Sequence, residues 1–195
     1  NEPLITIKAP IIEAQIVETA ILSMINGAME HATSARRIIE STNGKVGVME
    51  FGARRADGSE AAIDSSIYGI MAGCVGTSNI IAADMLNIKA MGTMAHSFIE
   101  SFPSEYEAFL AYAKAYPDNC ILLVDTVDTL KSGVINAIRV FRYMQENDMP
   151  LDHIGIRIDS GDLAYLSKEA RKMLDAAGFP QAKICLSNGL NAETI

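Results

Sequence analysis

The side chains best suited to chemistry fall in a few short stretches: "EFGARRADG", "GTSN", "GTMAHSF", "VDTVDT", "RIDSGD" and "LSNGLN". His96 of "GTMAHSF" is one of only three histidines in the chain. A neutral imidazole is a nucleophile and a base near pH 7. Asp125 of "VDT" and Asp159 of "RIDSGD" are carboxylates that could orient or charge such a ring. Arg54, Arg55 and Arg157 supply guanidinium groups that suit a phosphate or carboxylate. Thr77 and Ser78 open a helix, a position that can seat an anion. Ser160, Gly161, Ser187 and Asn188 add small polar turns. Each feature also has a plainer reading. Paired arginines occur in solvated turns, "IDSGD" can simply cap a helix through Ser160 or Asp162, and "GTSN" is a common cap. A lone His96 can be a hydrogen-bonded packing residue. His31 on a helix and His153 at a strand start lack comparable acidic company and read as structural or surface residues.

The elements around these residues give them a common address. Five short β-branched runs read as buried parallel strands: Lys45–Phe51, Asn87–Thr93, Asn119–Asp125, His153–Asp159 and Ala182–Asn188. Helical patterns fill the gaps, at Glu60–Ala72, Asn79–Leu86, Ser104–Tyr116, Thr129–Gln145 and Asp162–Ala177. Ser104 with Glu107 forms a capping-box pattern, and Gly178 supplies a stop. A further helical stretch leads in from Pro10 to about Ser41. Its Glu13–Asn26 part is apolar or small nearly all round, which predicts burial on more than one side. Strand–helix alternation predicts an α/β fold with a parallel sheet, either an open doubly wound sheet or part of a barrel. In both, chemistry collects at the carboxyl ends of the strands. The arginines, His96 and the carboxylates all sit there, while the opposite ends carry turn material such as "YPDN", "NDMPLD" and "GFPQ". The domain reading is one segment over residues 1–195, with the lead-in at 10–41 and β/α units at 45–195.

Composition narrows the function classes. Of 195 residues, 49% are hydrophobic and 21% charged, as in a folded globular chain. A net charge of −8 opposes a nucleic-acid or anionic-membrane surface as the main partner. Cys74, Cys120 and Cys185 form no CxxC pair and read as buried reduced thiols, which suits a reducing, cytoplasmic setting. There is no signal-peptide pattern and no run of about 20 unbroken apolar residues. HExxH, EF-hand, GxGxxG and Walker A patterns are absent, so no protein-built metal site or nucleotide loop of those kinds is expected. The chain opens at Asn1 and stops at Ile195 where a helical pattern starts, and reads as an internal segment of something longer.

Taken together, "NEPLITIKAP", "EFGARRADG", "GTSN", "GTMAHSF", "LLVDTVDTLKSGVINAIRV" and "GIRIDSGDLAYLSKEARKMLDAAGF" resemble nicotinate phosphoribosyltransferase, a type II phosphoribosyltransferase family. The likeness spans essentially the whole chain, and "AHSF" and "RIDSGD" are its most specific parts. It implies an irregular, TIM-like β/α barrel that is incomplete in this chain. It implies that nicotinate displaces pyrophosphate from phosphoribosyl pyrophosphate to give nicotinate mononucleotide, driven by ATP hydrolysis through a phosphohistidine. The family's phosphorylated histidine carries over to His96, with Asp125 as the partner that orients it. Asp159 would meet ribose hydroxyls or the Mg²⁺–pyrophosphate, and Arg157 a phosphate or the pyridine ring. Arg54 would meet the pyridine carboxylate or ring, Ser78 would bear on the choice of acid over amide, and Ser187 and Asn188 would stand near the 5′-phosphate. Arg55, Thr77, Ser160 and Gly161 complete the implied substrate-binding set. Mg²⁺ and ATP are the implied cofactor and co-substrate, and a cytoplasmic homodimer the implied assembly.

The sequence departs from the family pattern at Gly27, where a bulky aromatic is usual, and at Asn191, where an acid is common. The family's N-terminal domain and its later glycine-rich phosphate loop fall outside these residues, so the segment alone is expected to be inactive. Two other readings stay open. One is a nicotinamide phosphoribosyltransferase, although the arginines favour an acid substrate. The other is a non-catalytic β/α fragment that binds a partner through exposed sheet edges.

Overall fold

The computed structural model describes residues 3–195, so Asn1 and Glu2 of the "NEPLITIKAP" opening lie outside the described residues. The chain forms two compact units, one running to Gly92 and including Asn191–Ile195, the other spanning Thr93–Leu190.

In the first unit, α1 (Ile11–Ser41) starts directly after Pro10, whose fixed φ suits a helix entrance. It packs on α2 (Ser59–Ala72). The expected burial of α1 on several sides is not found, because none of its residues is buried. A single half-buried stripe runs through Ala14, Ile21, Ile25, Ala28, Ala32, Ala35 and Ile39, at the three-to-four spacing of one helix face. Ile12, Ile16, Leu22 and Met24 are exposed. Apolar composition all round thus overstated the burial, since only one stripe meets a neighbour. By length and composition alone α1 is apolar enough to cross a membrane.

Strand β1 (Met49–Glu50) pairs in parallel with β2 (Gly76–Thr77), Met49 opposite Gly76 and Glu50 opposite Thr77. This corrects the second predicted strand. Residues 87–93 form no strand, and the partner of β1 is instead the "GT" that leads into α3 (Ile80–Met85). The physical reason lies in burial. Gly76 and Thr77 are buried, whereas Ile88 and Met91 are exposed, and the 88–93 segment meets β2 through the Met91 N–H to Thr77 carbonyl bond at 2.9 Å. An apolar run with no layer to cover it gains little as a strand.

The second unit holds a three-stranded parallel sheet in sequence order: β3 (Cys120–Leu123), β4 (Ile154–Ile158) and β5 (Lys183–Leu186). Cys120 lies opposite Ile154 and Leu123 opposite Arg157, and Ile158 lies opposite Leu186. Leu122, Leu123, Ile154, Ile156 and Ile158 are fully enclosed, which explains why β3 and β4 read as continuous apolar runs. Helices α5 (Glu105–Ala115), α6 (Val134–Glu146) and α7 (Leu163–Ala176) cover the sheet with Phe109, Phe141, Met144 and Leu174. Phe141 meets Phe179 edge-on, with ring centres 5.7 Å apart. Ser104 and Asp162 cap α5 and α7 through their side-chain oxygens, as their positions predict. Between β3 and α6 the expected helix opens as a π-helical turn, Thr129–Gly133. A Cβ on Gly133 would stand 1.8 Å from the Val124 carbonyl oxygen, so only glycine lets this turn sit against the end of β3.

Candidate functional site

In the second unit the side chains of interest meet beyond the carboxyl ends of β3, β4 and β5. Arg157 and Asp159 lie two apart on β4 and its extension, hence on one face. The guanidinium of Arg157 is a hub. Its Nη2 donates to Asp159 Oδ1 at 2.7 Å, its Nε to Ser187 Oγ at 2.8 Å, and its Nη1 to Thr93 Oγ1 at 2.8 Å. The Ser187 hydroxyl donates in turn to Asp159 Oδ1 at 2.5 Å. The pair is largely desolvated, with side-chain exposures of 15% for Arg157 and 13% for Asp159. Burial works to raise the Asp159 pKa, but the Ser187 and Arg157 hydrogen bonds and the Arg157 charge outweigh it and hold the carboxyl below its ordinary value. Asp159 is therefore a fixed anion at neutral pH.

His96 is the first residue of the short helix α4 (His96–Glu100). Its Nδ1 lies 3.0 Å from Thr126 Oγ1, and its Nε2 lies 3.6 Å from Asp159 Oδ2. A carboxylate can only accept a proton. The neutral ring that suits both neighbours thus carries its proton on Nε2, toward Asp159, and offers its Nδ1 lone pair to the Thr126 hydroxyl. Asp125, expected to orient this ring, is engaged elsewhere. Its Oδ2 accepts from Ser160 Oγ at 2.5 Å and from the Asp159 amide at 3.1 Å. Both residues lie past the end of β3, and their hydrogen bonds separate them: Asp125 goes to Ser160 and the Asp159 amide, and Thr126 to His96. Thr126 and Asp159 take that place. Asp125 Oδ1 is buried and has no hydrogen-bond partner among the described residues.

The remaining positions in this unit shape the rim. Gly161 turns the chain at φ +79°, where a side chain would be strained and a Cβ would come within 2.9 Å of Leu166 Cδ1. Asn188 likewise adopts a positive φ, +75°, just after Ser187. An open cavity of about 390 Å³ adjoins Asp125, Asp128, Lys131 and Ser160. Thr93 and Thr126 lie within the "GTMAHSF" and "VDTVDT" stretches, but the sequence alone assigns them no role. Their nearness in sequence to His96 and Asp125 was the available signal, but only the folded geometry shows Thr93 on Arg157 and Thr126 on His96.

The other expected residues belong to the first unit. Arg54 and Arg55 lie in a 3₁₀ turn, Ala53–Arg55, directly after β1. Ser78 is exposed, while Thr77 is fully buried with its hydroxyl donating to Glu50 at 2.8 Å. Among the described residues no group of three or more His, Cys, Asp or Glu is arranged to hold a metal ion. A Mg²⁺ ion carried by a substrate's phosphates would need only one or two protein carboxylates. The unpartnered Asp125 oxygen and the Asp159 carboxylate are the donors at hand.

Comparison with known proteins places this arrangement. The sequence profile of the nicotinate phosphoribosyltransferase (NAPRTase) family matches residues 46–195. The chain is 46% identical over its full length to a nicotinate phosphoribosyltransferase of Bacillus subtilis and covers 39% of that protein. It is 44% identical, again over its full length, to one of Mycobacterium tuberculosis, of which it covers 41%. The chain thus spans about two fifths of the length of these curated relatives. The crystal structure of human nicotinic acid phosphoribosyltransferase superposes with a TM-score of 0.83 at 26% identity, covering 95% of this chain and 47% of the human one. A nicotinate-nucleotide pyrophosphorylase from Pyrococcus furiosus gives a TM-score of 0.72 at 27% identity, over 86% of this chain and 42% of that one. These likenesses bear out the expected fold class, α/β, the irregular β/α barrel of a type II phosphoribosyltransferase, of which the chain carries a part. With most of its length matched by the profile and by close relatives, the chain belongs to the nicotinate phosphoribosyltransferase family.

Proposed function

We propose that the protein containing this chain transfers a phosphoribosyl group from phosphoribosyl pyrophosphate to nicotinate, giving nicotinate mononucleotide and pyrophosphate for NAD biosynthesis. The observation that carries this reading is the His96 ring held between Thr126 and Asp159, with the Arg157 guanidinium beside it. The pyridine nitrogen attacks ribose C1 as the C1–oxygen bond to pyrophosphate breaks. Positive charge building on the ribose is stabilised by the fixed Asp159 carboxylate and by Asp125, which face ribose hydroxyls or the pyrophosphate. Mg²⁺ bound to the pyrophosphate would neutralise the leaving group, with Asp159 as its expected protein contact and Asp125 beside it. Arg157 fits a phosphate or the pyridine ring, and Ser160, Gly161, Ser187 and Asn188 line the phosphate side. Arg54 and Arg55 supply cations for the nicotinate carboxylate, and Ser78 bears on the choice of acid over amide.

ATP couples to the transfer at His96 in this reading. A ring nitrogen forms a bond to the γ-phosphorus as the bond to ADP breaks, and the ring proton left on the other nitrogen is held by Asp159. Water later takes the phosphoryl group, so one ATP becomes ADP and phosphate. Free thiols at Cys74, Cys120 and Cys185 favour a reducing, cytoplasmic setting, and the family resemblance favours a homodimer and a single β/α-barrel segment over residues 1–195. The test is competition between nicotinate and nicotinamide for the full-length protein, with phosphoribosyl pyrophosphate and ATP supplied. Nicotinate mononucleotide is the expected product; equal or preferred use of the amide would refute the assignment.

A further inference from the structure

We propose that Glu50 is a positioning residue for nicotinate, tying the "FGARR" and "GTSN" turns of the first unit to a single carboxylate. The inference rests on the nicotinate reading above. Glu50 closes β1, and both of its side-chain oxygens are occupied from different directions. Oε1 accepts from the Gly52 amide at 2.5 Å, within the turn that carries Arg54. Oε2 accepts from Ser66 Oγ on α2 at 2.7 Å and from Thr77 Oγ1 on β2 at 2.8 Å. The Glu50 carbonyl also accepts from the Ser78 amide at 3.3 Å. Thr77 passes the constraint on, because its oxygen accepts from the Asn79 amide at 3.1 Å. Asn79 in turn caps α3 at the Ala82 amide and donates to the Ala62 carbonyl of α2.

The space around the carboxylate is shaped for it. Ser66 and Thr77 are fully buried. A Cβ on Gly52 would lie 2.9 Å from Glu50 Oε1, and one on Gly69 of α2 would lie 3.2 Å from Glu50 Cγ. Three donors converge on this carboxylate from two sides, and glutamine of the same length has only one accepting oxygen to meet them. A negative charge next to turns that hold a carboxylate substrate works against binding by repulsion. The three-donor geometry accounts for its presence. Thr77, buried and bonded on both sides of its hydroxyl, acts on substrate through these turns and Glu50, not by contact.

The test uses the full-length protein with Glu50→Gln, Thr77→Val and Thr77→Ser, read by steady-state kinetics and by amide hydrogen exchange at residues 52–55 and 78–80. Glu50→Gln is expected to raise the nicotinate KM at least about fivefold, with kcat and the phosphoribosyl pyrophosphate KM within about twofold of wild type. Thr77→Val should shift the same parameter, and Thr77→Ser, which keeps the hydroxyl, should recover most of that loss. Exchange should quicken in both turns together in Glu50→Gln. An unchanged nicotinate KM, with apparent kcat alone falling in step with the folded fraction, would overturn the proposal while leaving the assigned reaction intact. If wild type fails to use nicotinate, the assigned reaction falls instead. Exchange alone then decides the tether: quickening in both turns upholds it, and quickening in one or neither overturns it.

Discussion

Replacing Asp159 by asparagine tests the geometry around His96 most directly. The substitution keeps shape and one accepting oxygen, but removes the charge 3.6 Å from His96 Nε2. As a ring nitrogen bonds to phosphorus the imidazole becomes cationic, and a nearby anion stabilises it. Coulomb's law at that separation gives about 1 kcal/mol in bulk water and between 4 and 5 at an effective dielectric of about 20. The His96 side chain is 41% exposed, which places the value in the lower half of that range. We therefore expect a loss of roughly 2 kcal/mol, or about a 30-fold slower phosphorylation. Thr126→Val removes the hydroxyl that occupies the attacking Nδ1 lone pair, so the rate should stay within about fivefold of wild type. Asp125→Asn, whose contacts go to Ser160 and the Asp159 amide, should cost less than Asp159→Asn. The assay is the initial rate at which full-length protein takes acid-labile, base-stable label from γ-labelled ATP, with His96→Ala as the blank. The Asp159 carboxyl lies below its ordinary value, so its charge is complete above about pH 5 and is lost only as pH falls through that lowered pKa. Protonation of Asp159 itself thus contributes nothing to the gap between wild type and Asp159→Asn from about pH 6 to 8. Near-normal labelling in Asp159→Asn with labelling abolished in Asp125→Asn would refute the reasoning and restore Asp125 as the orienting acid.

Two further predictions concern packing and thiols. Gly133→Ala would force a Cβ to 1.8 Å from the Val124 carbonyl, so it should destabilise by about 3 kcal/mol or more and cut the soluble yield. Gly27→Ala, on α1 with open space around it, should instead be neutral or stabilise by about 0.5–1 kcal/mol; thermal melts of the two variants check both. Burial pushes the Cys120 thiol up to about 12, so peptide mapping after maleimide treatment near pH 8 should find Cys120 unlabelled in native protein and labelled after denaturation.

The sequence by itself determined the order of strands and helices in the second unit, because β3 and β4 are enclosed on both faces and announce themselves as unbroken apolar runs. It also determined which residue types stand at the strand ends, since turns there carry His96, Asp125, Arg157 and Asp159 in recognisable company. Elsewhere local pattern misled. The run at 87–93 looks like a strand but lacks a covering layer, and the "GT" at 76–77 is too short to show a pattern at all. In α1, apolar composition could not say that only one stripe would find a neighbour. Tertiary structure alone decided which groups touch. Asp125 and Thr126 are adjacent in the chain, yet Asp125 bonds to Ser160 and the Asp159 amide while Thr126 meets His96, whose other nitrogen faces Asp159. Glu50 and Thr77, 27 residues apart, meet only because β1 and β2 pair in that register. Composition and spacing name the chemistry a chain can hold; the direction of each side chain from a paired strand decides which of those groups act on one another.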